Sequence, residues 1–356
     1  MSFPFVQPYF GLGNSLQTAQ AGGAGGGAVG GWVELGRTTL GSAGDNIDVS
    51  SLGDKRYYMV LTNSIASGGS TDVAMRLNTD TGSNYASRRS IDGAADETRT
   101  SDTLGIINHF ENETCLGVHY LANVSSKEKL GVGNFALLGS AGAGNAPRRV
   151  ENVGKWTNTS NAINAVNLFQ NDSGSFDTGS ECVVLGWDPA DTHTTNFWEE
   201  LASVTLGGDA SEISSGTISA KKYLWVQVYF QSASTSNDVL VRFNNDTGSN
   251  YAHRHAINFG SDTTQTSGSS IKLIDRNAAA DQGRYVNFFV VNNSATEKLL
   301  IAHGLEEETS GAGNPPTPNE CVAKWANTSS QITEIDCFTE SGNIRSGAEL
   351  RVWGSD

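Results

Sequence analysis

Apolar and polar residues alternate along this chain in short bursts. Residues 56–62 (RYYMVLT) and 222–230 (KYLWVQVYF) are dense in aromatic and β-branched side chains, and 72–77, 238–243, 163–169 and 332–338 alternate with period two. Clusters of Gly, Ser, Asn, Asp and Thr separate these bursts at intervals of roughly 8–12 residues, the spacing of strands in a sandwich or barrel. No stretch keeps a 3.6-residue apolar period between helix caps, so the long amphipathic helices of a wound α/β fold are missing. The pattern predicts an all-β chain of β-sandwich, jelly-roll-like units, each with about eight to ten strands in ~155 residues.

The units are two copies of one sequence. Residues 32–100 match 198–266 at a constant offset of 166: Trp32 with Trp198, Lys55 with Lys221, Tyr57 with Tyr223. The strongest block, Arg76-x-Asn78-x-DTGSNYA-x-Arg88, returns as Arg242-x-Asn244-x-DTGSNYA-x-Arg254. After a three-residue slip the match resumes. Glu128-Lys129-Leu130 pairs with Glu297-Lys298-Leu299, and Lys155-Trp156 with Lys324-Trp325; GAGN recurs at 142–145 and 311–314. Each copy closes on Gly-x-Glu, an apolar run and Gly, at 179–186 and 347–354. A period this long marks a duplicated whole domain rather than a solenoid. The expected organisation is an arm (1–31), repeat 1 (32–188), a linker (189–197) and repeat 2 (198–356).

The arm differs from the rest. Phe3, Phe5, Tyr9, Phe10 and Leu12 are interleaved with Pro and Gly, and AGGAGGGAVGG follows at 21–31. A glycine run cannot build a core and serves as a tether or an extended strand. Aromatic side chains on so short a tip need a cover, which the chain's own domains, a neighbouring subunit or another protein would supply. The expectation is an extended arm that docks on a partner.

Composition narrows the partners. With 23 Lys and Arg against 38 Asp and Glu, the 356-residue chain carries a net charge of −15. Such a field repels polyphosphate, so neither nucleic acid nor an anionic membrane surface is expected. No apolar run approaches the ~20 residues that span a bilayer, so no membrane insertion is expected. The first residues, MSFPFVQPYF, have no basic region or continuous apolar stretch and predict no secretory signal. Cys115, Cys182, Cys321 and Cys337 form no CxxC and read as buried thiols.

Candidate chemistry is sparse. Asn78-Asp80-Gly82-Asn84 and Asn244-Asp246-Gly248-Asn250 resemble a calcium loop, but the twelfth positions hold Arg89 and His255 where a bidentate Glu is needed. The same residues make a strand-to-strand turn, Asx side chains closing it and Gly taking positive φ; an ion site is the alternative. Arg76 and Arg242 flank these loops and are placed to pair with their carboxylates. His253-x-His255 lies on one strand face, without a counterpart in the first copy, and reads as a half-exposed pair rather than a metal site. Glu199-Glu200 and Glu306-Glu307-Glu308 read as solvated carboxylates. No nucleophile elbow, P-loop or dinucleotide fingerprint occurs. Neither catalysis nor a metal or other cofactor is therefore expected. The repeated Trp32/Trp198 and Trp156/Trp325 read first as packing, with sugar platforms as the alternative. The N-x-S/T sequons, among them Asn123 and Asn292, read as chance in so Asn-, Ser- and Thr-rich a chain.

The repeat unit resembles a domain of structural proteins from tailed bacterial or archaeal viruses. The residues that carry the likeness are Trp198-Glu199-Glu200-Leu201, the block 242–251 and the closing run 347–354. The first copy departs at Val33 and Thr79. The resemblance covers both copies and implies a virion component on a β-sandwich scaffold. The expectation is a capsid decoration, cement or head-fibre subunit, held by its arm to the major capsid or another virion protein, and homo-oligomeric, with a trimer as the guess. The alternatives are a tail-fibre-like protein that binds a host surface glycan, then a polysaccharide depolymerase.

Overall fold

The computed structural model describes residues 31–67, 73–109, 113–171, 173–189, 191, 195–234, 237–275 and 280–356. The arm residues Phe3, Phe5, Tyr9, Phe10 and Leu12 lie outside the described residues. Among those described the chain is all strand and turn, without an α-helix.

The first copy contains β1 (Val33–Thr39), β2 (Asn46–Ser50), β3 (Tyr57–Ser64), β4 (Ala66–Ser67), β5 (Val73–Leu77), β6 (Tyr85–Ile91) and β7 (Glu97–Asp102). It continues with β8 (Ile107–His109), β9 (Cys115–Ala122), β10 (Lys129–Leu137), β11 (Arg148–Trp156), β12 (Ala165–Gln170), β13 (Ser175–Phe176) and β14 (Glu181–Trp187). The second contains β15 (Glu199–Thr205), β16 (Glu212–Ser214), β17 (Tyr223–Gln231), β18 (Val239–Phe243), β19 (Tyr251–Ile257) and β20 (Thr263–Gly268). Then follow β21 (Ile271–Ile274), β22 (Gly283–Val291), β23 (Lys298–Glu306), β24 (Thr317–Trp325), β25 (Ile335–Thr339) and β26 (Glu349–Ser355).

Each copy folds into an eight-stranded sheet over a four-stranded one. The large sheets run β1-β14-β3-β9-β10-β11-β6-β7 and β15-β26-β17-β22-β23-β24-β19-β20; the small ones run β2-β12-β5-β8 and β16-β25-β18-β21. Strand for strand these orders are the same; the two-stranded β13-β4 sheet of the first copy has no counterpart among the described residues. The copies hold more strands than the alternation predicts: β4 and β13 are only two residues long, and β7 and β20 are polar and largely exposed. No period-two apolar signal marks such an edge strand.

Each sandwich has its own core. Tyr58, Val60, Met75, Leu77, Val166, Leu168 and Val184 meet between the sheets of the first, and Leu224, Val226, Val241, Phe243, Phe288 and Val352 in the second. A third apolar cluster lies between the copies. Met59, Leu61, Leu116, Val118, Ala136, Val183 and Leu185 on the outer face of one large sheet pack with Trp198, Tyr223, Trp225, Phe289, Leu299, Ile301, Val322 and Trp353 on the other. The two large sheets therefore stand back to back, and the molecule is a four-layer stack. The continuous apolar run of β17 follows directly, since alternate residues face the sandwich core and the seam.

Candidate functional site

Two constellations bring the shared polar residues together: the turn before β6 and β19, and the seam between the copies. The turn begins as a two-residue reversal. Asp80 N–H bonds to Leu77 O at 3.1 Å, with Asn78 and Thr79 both at φ 53°; Asn244 and Asn245 do the same at 52° and 54°. Asn78, Thr79, Asn244 and Asn245, not the glycines, take the left-handed region, which corrects the expectation for Gly82 and Gly248. Glycine is needed there for space: a Cβ on Gly82 would lie 2.7 Å from Asn84 Nδ2 and 3.1 Å from Asp80 Oδ1.

Asp80 is the hub. Its carboxylate accepts from Gly82 N (2.8 Å), Asn84 Nδ2 (2.9 Å) and the buried indole of Trp156 (2.7 Å). Asp246 accepts from Gly248 N, Asn250 Nδ2 and Trp325 at 2.8, 2.9 and 2.7 Å. Burial pushes both carboxyls up, but these hydrogen bonds outweigh it and hold both below the ordinary aspartate range. Asn78 accepts from Asn164 N and Ala165 N and donates to Ala162 O, tying the turn to the start of β12; Asn244 makes the equivalent set with Thr333 N, Glu334 N and Gln331 O. The eight turn residues are thus committed to an internal latch. Arg76 and Arg242 do not pair with it directly: they stack on Phe169 and Phe338, 3.8 and 4.4 Å from the ring centres, and donate to Thr103 O and Ser269 O.

Trp156 and Trp325 are core residues, 1% exposed, stacked on Tyr85 and Tyr251. Above them lie Lys129 and Lys298, whose ammonium groups are capped by backbone carbonyls, Ser125 O, Lys127 O and Asn158 O in the first copy, Thr296 O and Asn327 O in the second. Burial lowers both lysines, Lys298 to about 8. Trp32 and Trp198 line the seam side of the large sheets. None of these rings is an open platform. Asn123 and Asn292 are buried, each bridging backbone groups across the sandwich.

At the seam the copies exchange a dense set of polar contacts. Tyr223 OH donates to Glu181 at 2.9 Å, and Lys222 Nζ stands 3.0 Å from the same oxygen. Lys324 donates to Ser140 O at 2.6 Å, while Gly142 N donates to Glu297 at 2.6 Å. Arg254 donates to Pro147 O at 3.0 Å and lies 3.1 Å from Asp92. Arg149, 7% exposed, bonds Glu151 of its own strand and Asp262 and Glu320 of the other copy. Burial raises Glu151 to about 8, with Glu320 and Asp262 adding to it against Arg149. Burial pushes Glu320 up too, but Arg149 dominates and holds it down. The surroundings thus favour the protonated form of Glu151 and the ionised form of Glu320.

His253 and His255 are not half-exposed but buried, at 1% and 6%. His255 Nε2 lies 3.2 Å from Asp275, and Lys272 bridges Asp238 and Asp275 at 2.9 and 3.3 Å. Burial, with the neighbouring His255 and Lys272, lowers His253 to about 3, so its ring is neutral. Among the described residues no three His, Cys, Asp or Glu are grouped to hold a metal ion. Nor is Glu306 solvated: it is buried opposite Arg284, 3.9 Å away. Glu307 accepts from Gly283 N and Glu308 from Thr317, whereas Glu199 and Glu200 are exposed. The four cysteines are buried free thiols.

The sequence reading missed the seam and the carbonyl-capped lysines. Two signals pointed to them: an apolar run buried on both faces, and Lys and Glu repeated beside Trp and Leu.

No family model and no curated protein matches the chain. Among solved structures, the mouse laminin alpha1 chain, domains LG4-5, is 11% identical over 92% of both chains, with a TM-score of 0.18. The STIV MCP is 9% identical over 89% of this chain and 97% of its own, with a TM-score of 0.16. Ail, the attachment invasion locus protein of Yersinia pestis, is 10% identical over 72% of this chain and 97% of its own, at 0.12. Scores this low carry no argument about function, and the fold assignment rests on the strand order itself.

Proposed function

We propose that the chain is a virion structural protein, a capsid decoration, cement or head-fibre subunit attached through its N-terminal arm. The observation that carries this reading is where the duplicated residues are spent. Asn78, Asp80, Asn84, Trp156, Lys129 and their partners in the second copy all close turns or cap buried groups, so what duplication preserved is a scaffold. The block 242–251 that carries the resemblance falls on this turn, and the closing run 347–354 falls on β26. The aromatic arm supplies the attachment: its rings gain burial at a partner, and many copies on a particle multiply a modest contact. The acidic surface keeps decorated particles apart.

The test is copy number, by quantitative mass spectrometry of density-purified particles relative to the major coat protein. Hundreds of copies per particle fit decoration or cement, and a few dozen fit a fibre at a vertex or tail. Absence from the particles would sink the virion reading. Truncation of residues 1–31 should abolish attachment while leaving the two sandwiches folded.

A further inference from the structure

The seam is a near two-fold contact, closed on one side and open on the other. Let the near end of each large sheet be where β3 and β17 begin, and the far end where they finish. Lys324, in the near row of the second sheet, meets Leu138 O and Ser140 O past the far end of the first. Further in, Glu320 meets Arg149 and its own equivalent, Glu151. The sheets therefore face each other in opposite senses. A two-fold contact is self-complementary, so the far end of the second sheet should cover the near end of the first. It does not. The Lys155–Glu128 pair, counterpart of the buried Lys324–Glu297, is exposed. Leu130, counterpart of the fully buried Leu299, is 58% exposed, and at the far end of the second sheet Tyr229 and Leu305 are 46% and 37% exposed. On this side the sheets part, and apolar half-faces line the opening. Leu130 stands there in one row with Ala122, Tyr57 and Trp187, the last two stacked at 5.5 Å.

We propose that residues 1–30 fold back into this opening, the tip residues Phe3, Phe5, Tyr9, Phe10 and Leu12 covering Leu130 and its neighbours on the same molecule. Residue 31, the first described, lies beside it. Gly31 passes against Asn196, where a Cβ would lie 2.0 Å from Asn196 Oδ1. Trp32 O accepts from Phe197 N at 2.8 Å, and the Trp32 ring lies 6.4 Å from that of Tyr120, two residues along β9 from Ala122.

Length, charge and unpaired donors all fit this occupant. Residues 13–30 separate the tip from Gly31, and a chain of that length has a root-mean-square reach of ~24 Å. Leu130 lies four strands from β1 in the order β1-β14-β3-β9-β10, roughly 20 Å at the usual strand spacing. Residues 1–31 hold no Asp, Glu, Lys or Arg in a chain of net charge −15, so they suit an apolar face better than the charged surface around it. At the root of the arm, the indole N–H groups of Trp32, Trp198 and Trp353 are buried and meet no acceptor among the described residues. Trp198 follows Phe197, and Trp225 joins it to Trp353 at ring distances of 5.7 and 4.9 Å. An indole only donates, and a buried donor left unpaired is costly. The carbonyls of 21–30, a run nearly bare of side chains, supply the acceptors. The fold-back stows the sticky tip in the free chain, so a partner that takes the arm must first displace it. The proposal goes beyond the virion reading and does not rest on it.

Limited chymotrypsin digestion of the full chain, with the cut after Leu12 followed by mass spectrometry, tests this. The expected result is slow cleavage at a rate independent of protein concentration, sped on the order of tenfold or more by Leu130→Glu. Phe5→Asp should speed the same cut and add little on top of Leu130→Glu, because both break one contact. Leu130 and Phe5 lie outside the sandwich cores, and cooperative circular dichroism melts show that the variants fold. Cleavage as fast in wild type as in the Leu130→Glu variant overturns the proposal. Protection that appears only as the concentration rises overturns it as well, since the arm then lies on a second molecule. Copy number on particles bears on the virion reading alone, so the two fail separately.

Discussion

The two sandwiches share one strand order and differ where one meets the other. At the far end of the first, Asn63, Leu116, Ala136 and Arg149 fit beneath a neighbouring sheet; the same positions in the second are Tyr229, Tyr285, Leu305 and Pro318. The turn latch did not drift in this way, because its hydrogen bonds lie within one copy and see the same surroundings twice. Duplicated residues diverge where the two copies lie in different environments and persist where the fold itself fixes them.

The largest break in the comparison is expected at Arg149. Arg149→Ala leaves Glu151, Glu320 and Asp262 facing one another without their cation, and stripping one partner from a buried charge group costs ~3–5 kcal/mol. Pro318→Ala, at the equivalent place, should stay within about 0.5 kcal/mol. Urea unfolding of both variants checks this. Equal small losses would mean that the seam contributes little to stability.

Leucine truncation probes the apolar part of the same asymmetry. Leu299→Ala opens a cavity in the seam and should cost ~2–5 kcal/mol. Leu130→Ala, measured on the chain without residues 1–31, should change stability by about 0.5 kcal/mol or less. If the two losses match, the outer faces are not packed as described.

The latch serves as the control in which the copies should agree. Asp80→Ala and Asp246→Ala each remove three acceptor contacts and leave a buried indole N–H unsatisfied, a loss of ~1–3 kcal/mol that should be alike in both. Both carboxyls titrate below the ordinary range when folded, so their contribution is present above pH 3.8, the unpaired value, and is lost as the pH falls further. A marked difference between the two variants would mean that the seam reaches into one latch.

The parts of the fold governed by local rules were legible in the sequence. The bursts at 72–77 and 238–243 became β5 and β18, and the DTGSNYA turn became the latch, because alternation and Asx chemistry act over a few residues. The glycine was assigned the wrong task there: steric room at Gly82 and a left-handed φ at Asn78 leave the same mark on a sequence. The seam was not legible as a site. Period two says which residues share a face, not which sheet later covers that face. The run YLWVQVY signalled burial on both sides of β17, but its partner, the Leu116 row of β9 and β10, carries no mark that pairs it with Trp225. Nor can sequence show that His255 is buried beside Asp275 while its counterpart Arg89, also buried, pairs with Glu97.

The smallest expected effect is a slope with pH. Glu151 faces Arg149 of its own strand and, across the seam, Glu320, Asp262 and the half-buried His303. Its folded value, about 8, lies above the ordinary 4.5. The stability that its proton supplies is therefore fully present below pH 4.5 and is lost as the pH rises through about 8. Glu320 acts in the opposite sense, its share present above 4.5 and lost in acid, so the pair holds best with one proton between them. Glu151→Gln keeps the shape and the shared hydrogen bond but cannot ionise. Its urea midpoint should decline less than that of wild type between pH 5 and about 9, the opposite slope from Lys298, lowered to about 8, being common to both. Glu128→Gln, on the exposed counterpart pair at the open near face, should leave that decline in place. If both variants keep the alkaline loss, it does not arise at the seam, and the buried carboxyl pair is not what distinguishes the covered face from the open one.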